Sequence, residues 1–196
     1  MTIGCLFGSF DPPHLGHVAI AEHMLKAAGL DQVWLVVTPQ NPFKQDRKLS
    51  PDQHRLAMTR LAVQGKPGLN ASGFELDLPK PNYTVDTLAF MRQRWPDLTF
   101  ELIIGSDNLA SLHQWKDADQ ILAHHRVLVY PRPGLDEHLQ LAELASHPQV
   151  TLVRDLPLME VSSTGIRVRI RNWKPLNGLV DPVVEAYIRQ YGLYNG

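Results

Sequence analysis

Apolar and polar positions alternate along this chain on two length scales. "TIGCLFG" (2–8) is a short, nearly continuous apolar run and predicts a buried strand. "LGHVAIAEHMLKAAG" (15–29) repeats apolar residues at helical spacing and predicts a helix closed by Gly29. "QVWLVVTP" (32–39) predicts a second strand. Ser50-Pro51-Asp52-Gln53 has the form of a capping box with proline at the first helical position, opening a helix to about Gln64. Thr84 is placed to cap a further helix running to about Trp95 and stopped by Pro96. "TFELIIG" (99–105) and "RVLVYP" (126–131) predict two more strands.

Strands alternating with helices predict an α/β fold, a doubly wound (Rossmann-like) parallel sheet with helices on both faces. Ligands of such sheets bind beyond the carboxyl ends of the strands, where the strand order reverses. The loops that follow strands, 39–50 and 131–135 among them, are therefore the places to look for ligand contacts. The pattern contains no internal repeat. A length of 196 residues suits one substantial core, so residues 1–196 are expected to form a single domain.

Composition narrows the function. With 19 Lys and Arg against 20 Asp and Glu, the formal net charge is -1, which argues against a nucleic-acid partner. No apolar run is long enough for a membrane span and no signal-like start is present, so no membrane partner and a cytoplasmic location are expected. Cys5 is the sole cysteine, which excludes an internal disulfide; it reads as a buried core thiol.

The first strand runs into "GSFDPPHLGH" (8–17). Gly8 permits close backbone approach and Gly16 leaves room beside a helix start. A helix N-terminus offers free N–H groups and partial positive charge, which suits phosphate. His14 and His17, three residues apart, can both donate to phosphate oxygens, and a protonated ring would also neutralise charge. No third ligand follows at zinc spacing, so no metal site is expected in the protein itself. Near the other end, "VSSTGIRVRI" (161–170) offers Ser162, Ser163 and Thr164 as helix caps, with Arg167 on the same side as Thr164.

These segments resemble the G-x-F-D-P-x-H-x-G-H and I-S-S-T-x-I-R motifs of the nucleotidyltransferase superfamily related to class I aminoacyl-tRNA synthetases. "NYTVDTL" (82–88), "IIGSDNLASLHQW" (103–115) and "YPRPG" (130–134) narrow the resemblance to the family of bacterial nicotinate-nucleotide adenylyltransferases, over residues 3 to about 170. The resemblance implies transfer of AMP from ATP to nicotinate mononucleotide in NAD biosynthesis, with Mg²⁺ travelling on the ATP. It implies ATP contacts at Gly8, Ser9, His14, His17, Gly105, Asp107, Ser162, Thr164 and Arg167. His17, His14, Lys44 and Arg167 would act on the phosphates in transfer. Thr84, Trp115, Lys116 and Arg132 would receive nicotinate mononucleotide. The tail "DPVVEAYIRQYGLY" matches the family's short closing helix.

Two positions depart from the family pattern. Phe43 stands where many relatives have His, and Lys116 follows Trp115 where an aromatic or other residue is frequent. A lysine there would attract a carboxylate over a neutral amide. The rival activities are phosphopantetheine and nicotinamide mononucleotide adenylyltransfer, and the non-enzyme rival is a nucleotide-binding regulatory protein. The sequence is compatible with a homo-oligomer and does not require one.

Overall fold

The computed structural model describes residues 1–39, 49–132, 143–156 and 159–195. Six parallel strands form one sheet: β1 (Thr2–Gly8), β2 (Gln32–Val37), β3 (Leu69–Ser72), β4 (Thr99–Gly105), β5 (Val127–Tyr130) and β6 (Val150–Leu152). Their order is β3-β2-β1-β4-β5-β6. Strand order reverses between β1 and β4, which pair in register from Thr2↔Thr99 to Leu6↔Ile103. A crevice at the carboxyl ends of these two strands follows from that reversal. Gly8 closes β1 there and Gly105 closes β4.

The described residues contain seven α-helices: α1 (Leu15–Ala27), α2 (Asp52–Val63), α3 (Thr84–Arg94), α4 (Ser106–Ser111), α5 (Ala118–His124), α6 (Ser163–Arg171) and α7 (Pro182–Gln190). Side-chain alternation along each strand sends neighbours to opposite faces. Ile103 and Leu128 join one core with Val18, Met24, Met58, Ile166, Val184 and Ile188, from α1, α2, α6 and α7. Phe100, Leu102, Ile104, Val127 and Val129 join the other with Leu88, Met91, Leu109 and Ile121, from α3, α4 and α5. The fold is therefore the expected doubly wound sheet, and the C-terminal helical segment covers the α1–α2 face. Each large apolar side chain buried in this way contributes about 1.5–3 kcal/mol. Cys5 lies in the second core, and burial pushes its thiol pKa up.

Local expectations need three corrections. Ser50 makes no capping box: Pro51 is the residue before α2 and no side chain caps it. Ser50 is engaged elsewhere, its N–H with Asp11 and its carbonyl with Arg55. Thr84 is the first helical residue of α3, with Tyr83 in the cap position. The edge strands β3 and β6 were not anticipated. Among the described residues no helix is long and apolar enough to cross a membrane.

Candidate active site

The turn after β1 is built to present two imidazoles. Phe10 takes a left-handed conformation (φ 45°), which tucks its ring beneath Gly8. A Cβ on Gly8 would come within 2.9 Å of that ring, so glycine is required. The Phe10 ring meets His17 edge-on at 5.0 Å. His14 is the N-cap of α1, and its Nδ1 accepts the His17 N–H at 3.3 Å. His17 Nδ1 in turn accepts the His14 N–H at 3.2 Å. The rings stack with centroids 3.6 Å apart.

This reciprocal cap fixes the chemistry of both rings. An accepting Nδ1 carries a lone pair, so each neutral ring holds its proton on Nε2. Burial, helped by the Arg132 charge, pushes His14 down to about 4. Burial, the neighbouring His14 and Arg132 hold His17 well below the usual range. Both are therefore neutral donors at physiological pH, so of the two contributions open to the rings in the sequence the ligand-free site offers hydrogen-bond donation.

The second motif closes onto the first. Ser162 caps α6 by accepting the Gly165 N–H. The Ser163 hydroxyl donates to the Pro12 carbonyl at 2.8 Å. Arg167 donates to the Asp11 carbonyl and to the Thr164 hydroxyl. Gly16 permits this approach, since a Cβ there would come within 2.8 Å of Val161. Residues 151 to 156 positions apart in the chain thus form one cluster around the start of α1.

Across the crevice, Asp107 in the first turn of α4 sits 3.3 Å from Arg132 Nε. Arg132 also donates to the Tyr130 hydroxyl, and its backbone N–H donates to Ser106. A Cβ on Gly105 would fall onto the Asp107 carboxylate and within 2.8 Å of Arg132, so both side chains would have to move to accept one. The charge of Arg132 reaches both histidines, so it lies within electrostatic range of the imidazole pair.

Sequence reasoning missed Arg55. It is fully buried on α2 and donates to the carbonyls of Ser9, Thr38 and Ser50, and to Asp52. It thereby ties the first-motif turn to the chain leaving β2 and to the start of α2. One signal could have found it: position 55 shares the buried helical stripe of Met58, Thr59 and Ala62. Tyr194 was missed as well. Its hydroxyl donates to Asp11 Oδ1 at 2.7 Å, holding the C-terminal segment under the same turn.

A family model described as cytidylyltransferase-like matches residues 5–169. A probable nicotinate-nucleotide adenylyltransferase of Flavobacterium psychrophilum is 43% identical over 194 residues, 99% of each chain. Its counterpart in Bacteroides fragilis is 40% identical, covering 95% of this chain and 90% of the relative. The chain belongs to the nicotinate-nucleotide adenylyltransferase family. The fold agrees with that of the nicotinic acid mononucleotide adenylyltransferase of Plasmodium falciparum, solved in complex with NaAD. The two superpose with a TM-score of 0.78 at 19% identity, over 99% of this chain and 97% of that one.

The remaining positions named for the family's acceptor lie on the α3–α5 side. Trp115 is partly buried and packs against the second core. Thr84 is half-buried at the start of α3. Lys116 Nζ contacts both Asp86 carboxylate oxygens, at 2.8 and 3.1 Å, and lies 4.9 Å from the centre of the Tyr83 ring. Its charge is already met by Asp86, so the expected attraction for a substrate carboxylate is largely spent within the protein. Lys44 and Phe43 lie outside the described residues, as does most of loop 39–50. A groove lined by Arg92, Gln93, Thr99, His124 and His125 opens at the amino ends of the strands and holds none of the residues named for ATP or the acceptor.

Proposed function

We propose that this chain, acting as one nucleotidyltransferase domain over 1–196, transfers AMP from ATP to nicotinate mononucleotide, releasing pyrophosphate and forming deamido-NAD. The observation that carries this reading is the pair of Nε2–H donors fixed by the reciprocal His14–His17 cap, with Arg167 tied to the same turn. Family membership supports the choice of substrates.

The acceptor is a phosphate monoester with a second pKa of about 6, so it reaches the site largely as a dianion. One of its oxygens attacks the α-phosphorus of ATP. The bond from that phosphorus to the pyrophosphate oxygen breaks, and the electron pair leaves with pyrophosphate. No general base is needed. The protein's work is alignment and stabilisation of charge on the α-phosphoryl oxygens. Two rigid neutral donors suit this, because their hydrogen bonds strengthen as charge gathers on those oxygens. His17 serves the α-phosphate and His14 a neighbouring phosphate. Thr164, Ser162 and Arg167 hold the triphosphate, with Lys44 contributing from its loop. Gly8 and Ser9 admit the phosphates, and Gly105 and Asp107 meet ribose and adenine.

Arg132 is assigned to the acceptor phosphate. That phosphate must meet the α-phosphate, and an arginine within electrostatic range of the imidazole pair is suited to hold it there. Thr84 and Trp115 receive the nicotinate ring, with Trp115 stacking on it.

Among the described residues no group of three or more His, Cys, Asp or Glu could hold a metal ion. The Asp11 carboxylate is taken up by Tyr194 and Ser50. These residues fit an ion that arrives on ATP. Mg²⁺ carried in on the ATP would neutralise part of the phosphate charge.

The test is pyrophosphate release from ATP·Mg²⁺ with nicotinate mononucleotide, nicotinamide mononucleotide and phosphopantetheine in turn. Highest kcat/KM with nicotinate mononucleotide is expected. Preference for either of the others would overturn the acceptor assignment. Nucleotide binding without pyrophosphate release would overturn the enzyme reading.

A further inference from the structure

The stretch between β3 and α3 buries a carboxyl group that the mechanism above leaves unused. Glu75 lies on a 3-10 turn (Phe74–Asp77) and is only 3% exposed. One carboxyl oxygen accepts the Thr87 hydroxyl at 2.7 Å. The other is buried without a hydrogen-bond partner. The Glu75 backbone carbonyl accepts the Asn82 side-chain N–H at 2.8 Å. The amide oxygen of that same Asn82 is also buried without a partner. Two unmatched acceptors therefore sit on adjoining side chains. Each costs about 1–3 kcal/mol if left without a donor.

These contacts hold one short segment. Asn82 precedes α3, and Thr87 lies in its first turns. Between them lie Tyr83, Thr84 and Asp86, and Lys116 reaches Tyr83 and Asp86 from beside Trp115. The segment is anchored inside by Glu75 and outside by Lys116. The outer pair is exposed, and such pairs fix little. The inner anchor is buried and carries the placement.

We propose that Glu75 is a positioning residue for the acceptor: it sets segment 82–87, and with it Thr84, so that the base of the mononucleotide meets a preformed slot beside Trp115. This rests on the acceptor reading given above. Glu75 does its work as an uncharged acid, which supplies a proton where two oxygens lack one. Burial pushes its carboxyl up to about 7, against a smaller downward pull from the Thr87 hydroxyl. Around it, β2 (QVWLVV) carries no ionisable side chain. On α2, Arg55 and Asp52 are bound to each other. On α3, Asp86 is matched by Lys116. Asp77 lies on its own turn, Tyr83 in the connector, and Lys80 in the connector pairs with Asp52 at 3.8 Å. As pH rises through about 7, the acid ionises, the donor is lost and the slot loosens.

The test is steady-state kinetics of the wild type, Glu75→Gln and Glu75→Leu between about pH 6 and pH 8.5. Glu75→Leu should raise the acceptor KM roughly tenfold while the ATP KM and kcat stay within about twofold. Glu75→Gln carries an amide donor where the acid has its proton. It should keep the acceptor KM within about twofold of the wild type at low pH and abolish the rise toward high pH. Superimposable wild-type and Glu75→Gln profiles overturn the proposal, and this comparison stands even if Glu75→Leu fails to fold. A parallel loss of kcat and both KM values in a folded Glu75→Leu also overturns it. Wild-type turnover with another mononucleotide in place of nicotinate mononucleotide would overturn only the acceptor assignment. The Glu75 comparison is then run, and decided, with that mononucleotide.

Discussion

His14 and His17 each accept, on Nδ1, the backbone N–H of the other, and their rings stack 3.6 Å apart. A helix start is thus capped by the same two side chains that the proposed function sets against the phosphates. Capping uses the Nδ1 edge of each ring and leaves the Nε2–H edge for a ligand, so the donors are held in place before any ligand arrives. Such preorganisation is what makes a donor effective in the transition state.

The tautomer and charge of the pair can be read directly. Nitrogen-detected NMR of the ligand-free protein should show both rings as neutral Nε2–H forms throughout the neutral range. The linkage has a definite sign. Folding lowers the His14 pKa from 6.5 to about 4, so the neutral ring's contribution to stability is complete above 6.5. It is lost as pH falls through the folded value of about 4. A His14 that protonates near 6.5 in the folded protein would contradict the capping arrangement.

His17→Ala removes a donor and a cap together. The cap is worth about 1 kcal/mol, a small cost to the melting temperature. Loss of a preorganised donor to a developing charge costs about 10²–10³ in kcat. Turnover should therefore fall far more than the ATP KM rises. A change confined to KM would reduce His17 to an anchor.

Arg55→Met should destabilise the protein by about 3–5 kcal/mol in denaturant titration, because three backbone carbonyls lose their charged donor. Arg55→Lys should recover only part of this, since one ammonium cannot reproduce the planar fork. Full recovery by lysine would mean that the charge matters and the geometry does not.

The sheet and the chemistry at its crevice were legible in the sequence because they are local. β1, β4 and β5 are apolar runs, and each motif follows its element directly. β3, "LNAS", was not legible: it is short, half polar, and gains strand structure only by pairing with the β2 edge. The capping pattern at Ser50 misled because tertiary partners claimed that residue. Arg55 read as an ordinary helical arginine, and only the three chain segments converging on it give it meaning. The Tyr194–Asp11 bond spans 183 residues and leaves no local trace. Glu75 has no marker either, since its burial depends on how α3 docks.

Lys116 gives the sharpest test of side-chain reading against structure. As a sequence, a lysine after Trp115 suggests recognition of the nicotinate carboxylate. In the fold, Asp86 receives the ammonium on both oxygens, and the Tyr83 ring lies on another side of it. Bonding to Asp86 raises the Lys116 pKa, so the charge persists but is compensated. Lys116→Met should therefore change the ratio of kcat/KM for nicotinate over nicotinamide mononucleotide by less than about twofold. Asp86→Asn, which frees the lysine, should shift that ratio toward the acid. A collapse of acid preference in Lys116→Met, roughly tenfold or more, would restore the lysine as the reader of the carboxylate. With the lysine compensated, Lys116→Met removes little that could distinguish acid from amide, which is why the ratio should hold.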